Sequence, residues 1–335
     1  MNSVTERFVQ IRSAHQCLAL VPTEGLPPFN AQLLQRHRPD AHWAVVDAGH
    51  VTARCSLWWQ STPHWPPHRV GLIGHYAASS DDTASDLLEL ACQQLAENDC
   101  TLAVGPMDGN TWRDYRFVTE SGNEPGFFLE PHNPPEWPAQ FHRHGFREFA
   151  RYFSAVADDL TRTSPRMDRV RMRMTKQGVR IRSVSEDHFD EDLRQIHAVA
   201  QTVFRDHVLY QAMGEAEFVQ QYETLRSNVP FDLVLLAEQN GRMVGFGFAT
   251  PDMLQAERGE TVDTVLIKTL GVLPDREFAG LGQLLLEQLQ QRAATLGFRR
   301  AIHALVRETG NLQKISQRYA VPFRRYTLFA KELGS

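Results

Sequence analysis

The sequence predicts a mixed α/β protein, a central sheet covered by helices, laid out as two copies of one plan. Three observations carry that prediction. Each half holds two short apolar runs joined by a two-residue turn. Each then continues with a further apolar run and a helical segment striped with apolar residues. Each adds another apolar run after that segment, so periods of 2 and 3.6 alternate in the same order twice.

In the first half, strands are read at 43–46 and 51–59 around Ala48-Gly49; in the second, at 233–237 and 244–249 around Asn240-Gly241. An Asn-Gly pair suits the positive φ angles of a tight hairpin. The next strand is read at 70–76 and again at 264–272. Leu88, Ala91 and Leu95 then share one helix face, as do Leu281, Leu285 and Leu289. Strands follow at 101–104 and 300–306. The second half also opens on a strand at 179–184 with helical patterns at 193–204 and 215–225, and closes on a strand at 326–331. Between the halves, Ser164, Pro165 and Gly178 stand as N-cap, first position and terminator of a helix. That helix has Met167, Val170 and Met174 on one face and Arg166, Arg169 and Arg173 elsewhere. It reads as an amphipathic connector with a solvated face, the other reading being a basic patch for an anionic partner. The domains are set at 1–160, a helical linker at 161–178, and 179–335.

A length of 335 residues is enough for two domains with real cores. With 42% hydrophobic and 22% charged residues and a net charge of −5, nothing pulls the chain in bulk toward nucleic acid or an anionic membrane. The apolar runs are strand-sized and residues 1–10 lack the apolar stretch of a signal peptide, so a cytoplasmic protein is expected. Cys17, Cys55, Cys92 and Cys100 form no CxxC pair and read as isolated thiols. No metal cluster stands out among the fourteen histidines, so no metal is expected; His142 and His144 read as a solvated helix face.

The most informative stretch is 269–286. A strand ending Leu270-x-Val272-x-Pro274 leads through a short loop to Gly280-Leu281-Gly282, where the leucine-striped helix begins. Glycines there let a ligand approach the backbone, and the unpaired N–H groups of the first turn, with the helix dipole, suit a diphosphate. At these residues the sequence resembles the Gcn5-related N-acetyltransferase (GNAT) family, whose acetyl-CoA turn reads Arg/Gln-x-x-Gly-x-Gly/Ala after such a strand. Gly280 and Gly282 match its glycines, while Glu277 stands at the Arg/Gln position with Arg276 before it. The resemblance covers 179–335 and implies two tandem GNAT-like domains, each with a mostly antiparallel sheet flanked by helices. It also implies acetyl-CoA bound by Leu270, Gly271, Val272, Arg276, Phe278, Gly280, Leu281, Gly282 and Gln283, with Asn311 opening the next helix beside it. Main-chain N–H groups near 270–272 would contact the oxyanion, and Tyr319 would protonate the departing thiolate, with Tyr326 in reserve. Where the second half has its glycines the first has Asp81 and Asp82, which would cap their own helix and repel phosphate. The first copy therefore reads as degenerate, and one acetyl-CoA site per chain is expected.

The implied activity is transfer of an acetyl group from acetyl-CoA to a small-molecule or peptide amine by direct attack in a ternary complex. The chain would act as a monomer or homodimer, without nucleic acid or membrane. Two alternatives are a non-catalytic CoA-responsive binding module and an aminoacyl or longer-chain acyltransferase of tandem type. Asp263, Lys268, His303 and Glu308 are all available as base. Lys268 sits mid-strand among apolar residues, where it contacts substrate or forms an ion pair. In the first half, segment 105–116 carries Asp108, Asn110, Trp112, Arg113 and Arg116, and reads either as a ligand-binding loop or as a packed structural one. The Pro- and aromatic-rich 125–137 reads as a rigid cover over it.

Overall fold

The computed structural model describes residues 7–223, 226 and 229–334. The first half comprises β1 (Phe8–Gln10), α1 (Ala14–Leu18), β2 (Val21–Pro22), α2 (Gln32–His37), β3 (Ala41–Asp47), β4 (His50–Trp58), β5 (Val70–Ala78), α3 (Asp81–Glu97), β6 (Leu102–Gly105), β7 (Phe117–Glu120), α4 (Glu136–Arg143) and β8 (Arg147–Ala157). Helix α5 (Pro165–Lys176) leads to the second half. There follow β9 (Val179–Ser183), α6 (Phe189–Val203), α7 (Glu215–Glu223), β10 (Val234–Gln239), β11 (Arg242–Pro251), α8 (Met253–Glu257), β12 (Thr264–Val272), α9 (Leu281–Thr295), β13 (Arg300–Arg307), α10 (Asn311–Ser316) and β14 (Val321–Glu332). The helix expected at 215–225 ends at Glu223; positions 224 and 225 lie outside the described residues. No helix among the described residues is long and apolar enough to cross a membrane.

Both turns read from the sequence close hairpins. Ala48 and Gly49 have φ of 47° and 83°, and Asn240 and Gly241 have φ of 52° and 76°, the positive pair that matches strand twist. Each half repeats the same run of hairpin, strand, long helix and parallel strand. Thus β5 pairs in parallel with β6 and β12 with β13, while the remaining neighbours in the sheet are antiparallel apart from the short β2.

The halves do not close separately at the linker. All the strands join one sheet in the order β1-β3-β4-β5-β6-β14-β8-β13-β12-β11-β10-β9, with β2 and β7 beside it. The last strand of each half is therefore exchanged: β8 pairs with β13 of the second half, and β14 pairs with β6 of the first. The two exchanged strands pair with each other along the seam, from Val321 opposite Val156 to Ala330 opposite Arg147. Sequence division at 161–178 separates two runs of chain, and the hydrogen-bond ladder crosses between them. Helix α5 lies where the linker was read and buries Met167, Val170 and Met174 while its arginines stay exposed. Of the cysteines, Cys55, Cys92 and Cys100 are buried and Cys17 is half-buried; all four are free.

Candidate functional site

The site begins at α9. The chain leaves β12, makes a single tight turn at Arg276–Phe278 anchored by buried Phe278, and enters the helix through Gly280. Gly280 has φ of +90°, and a Cβ there would lie 3.1 Å from Val170 Cγ2 of α5, so only glycine fits without strain. Gly282 differs. A Cβ there would meet nothing closer than Val272 Cγ2 at 3.7 Å, so packing does not demand glycine and the backbone is left bare. Gly271 is explained by packing, since a Cβ would fall 2.6 Å from the Phe246 ring.

No side chain caps α9 and no acidic residue stands in its first turn. The N–H groups of Leu281, Gly282 and Gln283 thus have no acceptor within the helix. An N-cap contributes roughly 1 kcal/mol, whereas each buried leucine contributes roughly 1.5–3 kcal/mol. With Leu281, Leu284, Leu285 and Leu289 all at 0–1% exposure, burial outweighs the missing cap. The open end is tolerated because the leucine face holds the helix in place. Two cations that the motif does not contain flank it. Arg173 of α5 donates from Nη2 to the Ala279 carbonyl, and Arg318 Nη1 donates to Gln283 Oε1 at 2.8 Å. Arg276 is exposed beside them, as is the carboxylate of Glu277. Gln283 is buried, its side chain spent on Arg318 and Tyr319, so it offers a ligand only its main-chain N–H.

Next to this turn the sheet splits. β12 and β13 pair from Thr264 opposite Arg300 to Ile267 opposite His303, and then part. Beyond Ile267, Leu270 and Val272 continue paired only with β11, leaving one edge of 268–270 without a strand partner. The crevice so formed is lined by Lys268, Leu270, Leu286, His303, Leu312 and Ser316, among others. Asn311 opens α10 as read and is exposed. His303 Nδ1 lies 2.8 Å from Ser316 Oγ, and its Nε2 is buried without a partner. Burial holds this imidazole down to about 4, so it is neutral at physiological pH.

Tyr319 does not line the crevice. Its hydroxyl donates to Glu287 Oε1 at 2.5 Å and accepts from Gln283 Nε2 at 2.5 Å, both on α9. Burial, and then the Glu287 carboxylate, push the phenol up to about 12. Tyr319, which follows α10, is thus hydrogen-bonded to α9 in this structure. Tyr326, the reserve, is fully buried in the seam; its hydroxyl meets Ser154 Oγ at 2.9 Å and Glu130, and burial raises it further still.

The first half also packs against β12 and β13. Phe127, at 1% exposure, packs with Leu266, Ile302 and Ala304, and the Leu129 carbonyl accepts from Lys268 Nζ at 3.1 Å. The 125–137 cover thus seals β12 and β13, where the sequence had placed it over 105–116. Segment 105–116 itself reaches across: Trp112 Nε1 donates to the Gln211 carbonyl at 2.9 Å, and its ring meets Phe218 edge-on at 5.8 Å. Arg116 stacks on Tyr115 and Tyr152, with centroid distances of 3.7 and 4.1 Å, and donates to the Leu305 carbonyl at 3.4 Å. Lys268 is half-exposed yet walled in by protein. Desolvation, and then the Arg116 guanidinium, lower its ammonium to about 8 against the opposing pull of Asp114 and Glu130. Asp114 is exposed, and desolvation raises its carboxyl against the opposing pull of Lys268 and Arg116.

Among the possible bases, Lys268 and His303 reach the crevice. Asp263 sits at the far end of β12, accepting from Gln255 Nε2 at 3.0 Å, and Glu308 is paired with Arg325. Asn110 caps its own turn by accepting from the Trp112 N–H, and Arg113 turns back to the His37 carbonyl. Sequence reasoning missed Arg173, Arg318, Ser316, Asp114 and Glu130, which come from five separate elements or loops. A helix face of exposed arginines was the only prior signal for Arg173. It also missed a grouping of His37, His75 and Asp108, far apart in the chain, whose ligand-type atoms lie within 4.8 Å of one another.

Residues 192–317 match the acetyltransferase (GNAT) family. Protein YghO of Escherichia coli (strain K12) is 23% identical over 262 residues, 68% of this chain and 65% of YghO, so the match spans just under two thirds of that relative. Among solved structures, a GCN5-related N-acetyltransferase from Sphaerobacter thermophilus is similar over 99% of this chain and 98% of its own, at 12% identity and a TM-score of 0.53. A tandem GNAT protein from the clavulanic acid biosynthesis pathway is similar over 98% of both chains, at 12% identity and a TM-score of 0.52. A glucosamine N-acetyltransferase region of a fungal multi-domain β-N-acetylglucosaminidase covers 99% of this chain but 39% of that one, at 13% identity and a TM-score of 0.56. These likenesses establish the fold along its whole length, tandem halves included.

Proposed function

Because residues 192–317 are a domain of the acetyltransferase (GNAT) family, we propose that this chain is an acetyl-CoA-dependent N-acyltransferase with one donor site, at the start of α9. The acceptor amine enters the cleft between β12–β13 and the first-half segment 105–116. One observation carries this reading: an uncapped first turn of α9 lies beside a strand edge that loses its partner after Ile267. The N–H groups of 280–283, with Arg173, Arg318 and Arg276, hold the diphosphate. The bare edge of 268–270 takes the pantetheine arm much as a sheet edge takes an added strand. Acetyl-CoA supplies an acetyl group activated as a thioester.

The chain's own residues then orient and move protons. Main-chain N–H groups near 270–272 donate to the oxygen that gains charge. Lys268, lowered to about 8, is substantially neutral in mildly alkaline solution and accepts the proton that the amine gives up. Asp114 beside it attracts a cationic acceptor, a small-molecule or peptide amine, while Glu130 is held by Arg324. With Tyr319 clasped to Glu287, two hydroxyls line the crevice, those of Thr269 and Ser316, and that of Ser316, held by His303, donates toward the departing sulfur.

That displacement of Tyr319 also favours a second reading, a CoA-responsive binding module without turnover. Calorimetry with acetyl-CoA, followed by measurement of free thiol release across a panel of primary amines, separates the two. Amine-dependent thiol release supports the enzyme. Binding without release supports the module, and no binding rejects both.

A further inference from the structure

The first half has its own split. β5 and β6 pair only from Val70 opposite Leu102 to Leu72 opposite Val104, and then diverge as β12 and β13 do. In the second half that split is an open crevice; in the first it is filled by polar side chains. His75, on β5 with an unusual φ of 48°, places Nε2 2.8 Å from His37 Nδ1 and 3.4 Å from Asp108 Oδ2. His37 ends α2, and Asp108 follows β6.

We propose that His37, His75 and Asp108 form a binding site for one divalent transition-metal ion of the zinc class. Imidazole nitrogens and a carboxylate are the donors such an ion selects. Zinc with bonds of ~2.0–2.2 Å in a tetrahedron spaces its ligand atoms by ~3.3 Å, and the observed 2.8 and 3.4 Å bracket that spacing. All three ligand-type atoms lie within 4.8 Å of one another, with His37 on the half-buried end of a short helix.

A supporting shell of hydrogen bonds holds the ligands. His75 Nδ1 meets Ser56 Oγ at 2.8 Å, and Ser56 Oγ meets His42 Nδ1 at 2.7 Å. Asp108 Oδ1 accepts the main-chain N–H of His75 at 2.6 Å, which holds the carboxylate beside β5. Such outer bonds fix the tautomer and direction of metal-binding histidines. Phe29 and Trp58 pack against the His75 ring, at centroid distances of 5.2 and 5.4 Å. Gly74 lets the Asp108 loop approach, since a Cβ there would fall 2.6 Å from Asp108 Oδ1 and 2.3 Å from the Met107 carbonyl oxygen.

Three cations face the cluster and oppose an ion: Arg36, Arg54 and Arg113. Arg113 is partly offset by Glu217 at 3.5 Å and by the carbonyls of His37 and Asp108, at 3.2 and 3.3 Å. Three protein ligands leave a fourth position for water. The ion would clip the end of α2 to β5 and to the root of segment 105–116, the same segment that carries Trp112 and Arg116 into the second half.

The test uses the full chain, stripped with a chelator and titrated with Co2+ alone. The expected result is intense visible absorption of a tetrahedral cobalt site, saturating at one equivalent per chain and displaced by Zn2+. In His37→Ala and in Asp108→Asn, Co2+ affinity should fall more than about 100-fold, while acetyl-CoA calorimetry stays as in the parent, which shows the fold intact. Absence of a saturable band in the parent overturns the proposal. So does a band of equal affinity in His37→Ala; should Asp108→Asn fail to fold, the His37 variant decides alone.

Discussion

The two long helices α3 and α9 occupy equivalent places in the two halves, yet their first turns are opposites. At α3, Ser80 caps the helix by accepting from the Thr83 N–H, and Asp81 and Asp82 add negative charge to the first turn. Gln140 donates to the Ser80 carbonyl at 3.4 Å and Arg143 pairs with Asp81, so the Thr83 N–H and the nearby arginine are already taken. At α9 the turn has no cap and no carboxylate, and two arginines from α5 and from beyond α10 close around it. The same helix position therefore carries a self-satisfied end in one half and a ligand-ready end in the other. What decides between them is a handful of residues just before the helix; the fold is common to both.

The comparison is broken most sharply at the glycines of α9. Gly280→Val should abolish acetyl-CoA binding in calorimetry and also lower the melting temperature, because a β-branched side chain at φ +90° is strained and meets Val170. Gly282→Val should weaken binding by about 100-fold, ~2.7 kcal/mol, with the melting temperature nearly unchanged, since a Cβ there makes only an ordinary contact with Val272 at 3.7 Å. Equal loss of stability in both variants would mean that the turn is glycine-rich for packing alone.

Next in size is Lys268→Met, which should lower amine-dependent thiol release by about 100-fold while leaving acetyl-CoA affinity intact. In the parent, the rate should rise with pH through about 8, because the lysine is lowered to that value and only its neutral form takes a proton. The variant should lose that rise. An unchanged profile would remove Lys268 as the base.

A smaller effect is expected at the flanking cations. Arg173→Ala and Arg318→Ala should each weaken acetyl-CoA by about 5-fold, ~1 kcal/mol, with a shallower dependence on salt, as exposed charges near a helix terminus do. The smallest effect on turnover is expected at Tyr319→Phe, within about twofold, with stability lower by ~1–3 kcal/mol as Glu287 loses a donor. A large loss of turnover would restore Tyr319 as the acid.

The repeated plan was legible because hairpin turns and helix stripes are local patterns. Asn240-Gly241 and the leucines of α9 need no distant partner to be read. The exchange of β8 and β14 was not legible. β8 opens with Arg147, Glu148 and Arg151, which show no apolar alternation, and which sheet a terminal strand joins is set by long-range pairing that no local pattern carries. The glycine turn before α9 was readable for the same local reason. The two glycines looked equivalent, however, until backbone angles showed that Gly280 is required by conformation and Gly282 leaves space for a ligand. Asp114, Lys268 and Glu130 meet only because 105–116 and 125–137 cross to the other half, and His37, His75 and Asp108 only because β5 and β6 diverge.

The central claim is one donor site per chain, on bare main-chain amides at the start of α9. It is tested most directly by calorimetric titration of acetyl-CoA into the parent and into Gly282→Val. The account predicts one equivalent bound by the parent and about 100-fold weaker binding by an equally stable variant. A stoichiometry of two, or binding undiminished in the variant, would contradict it.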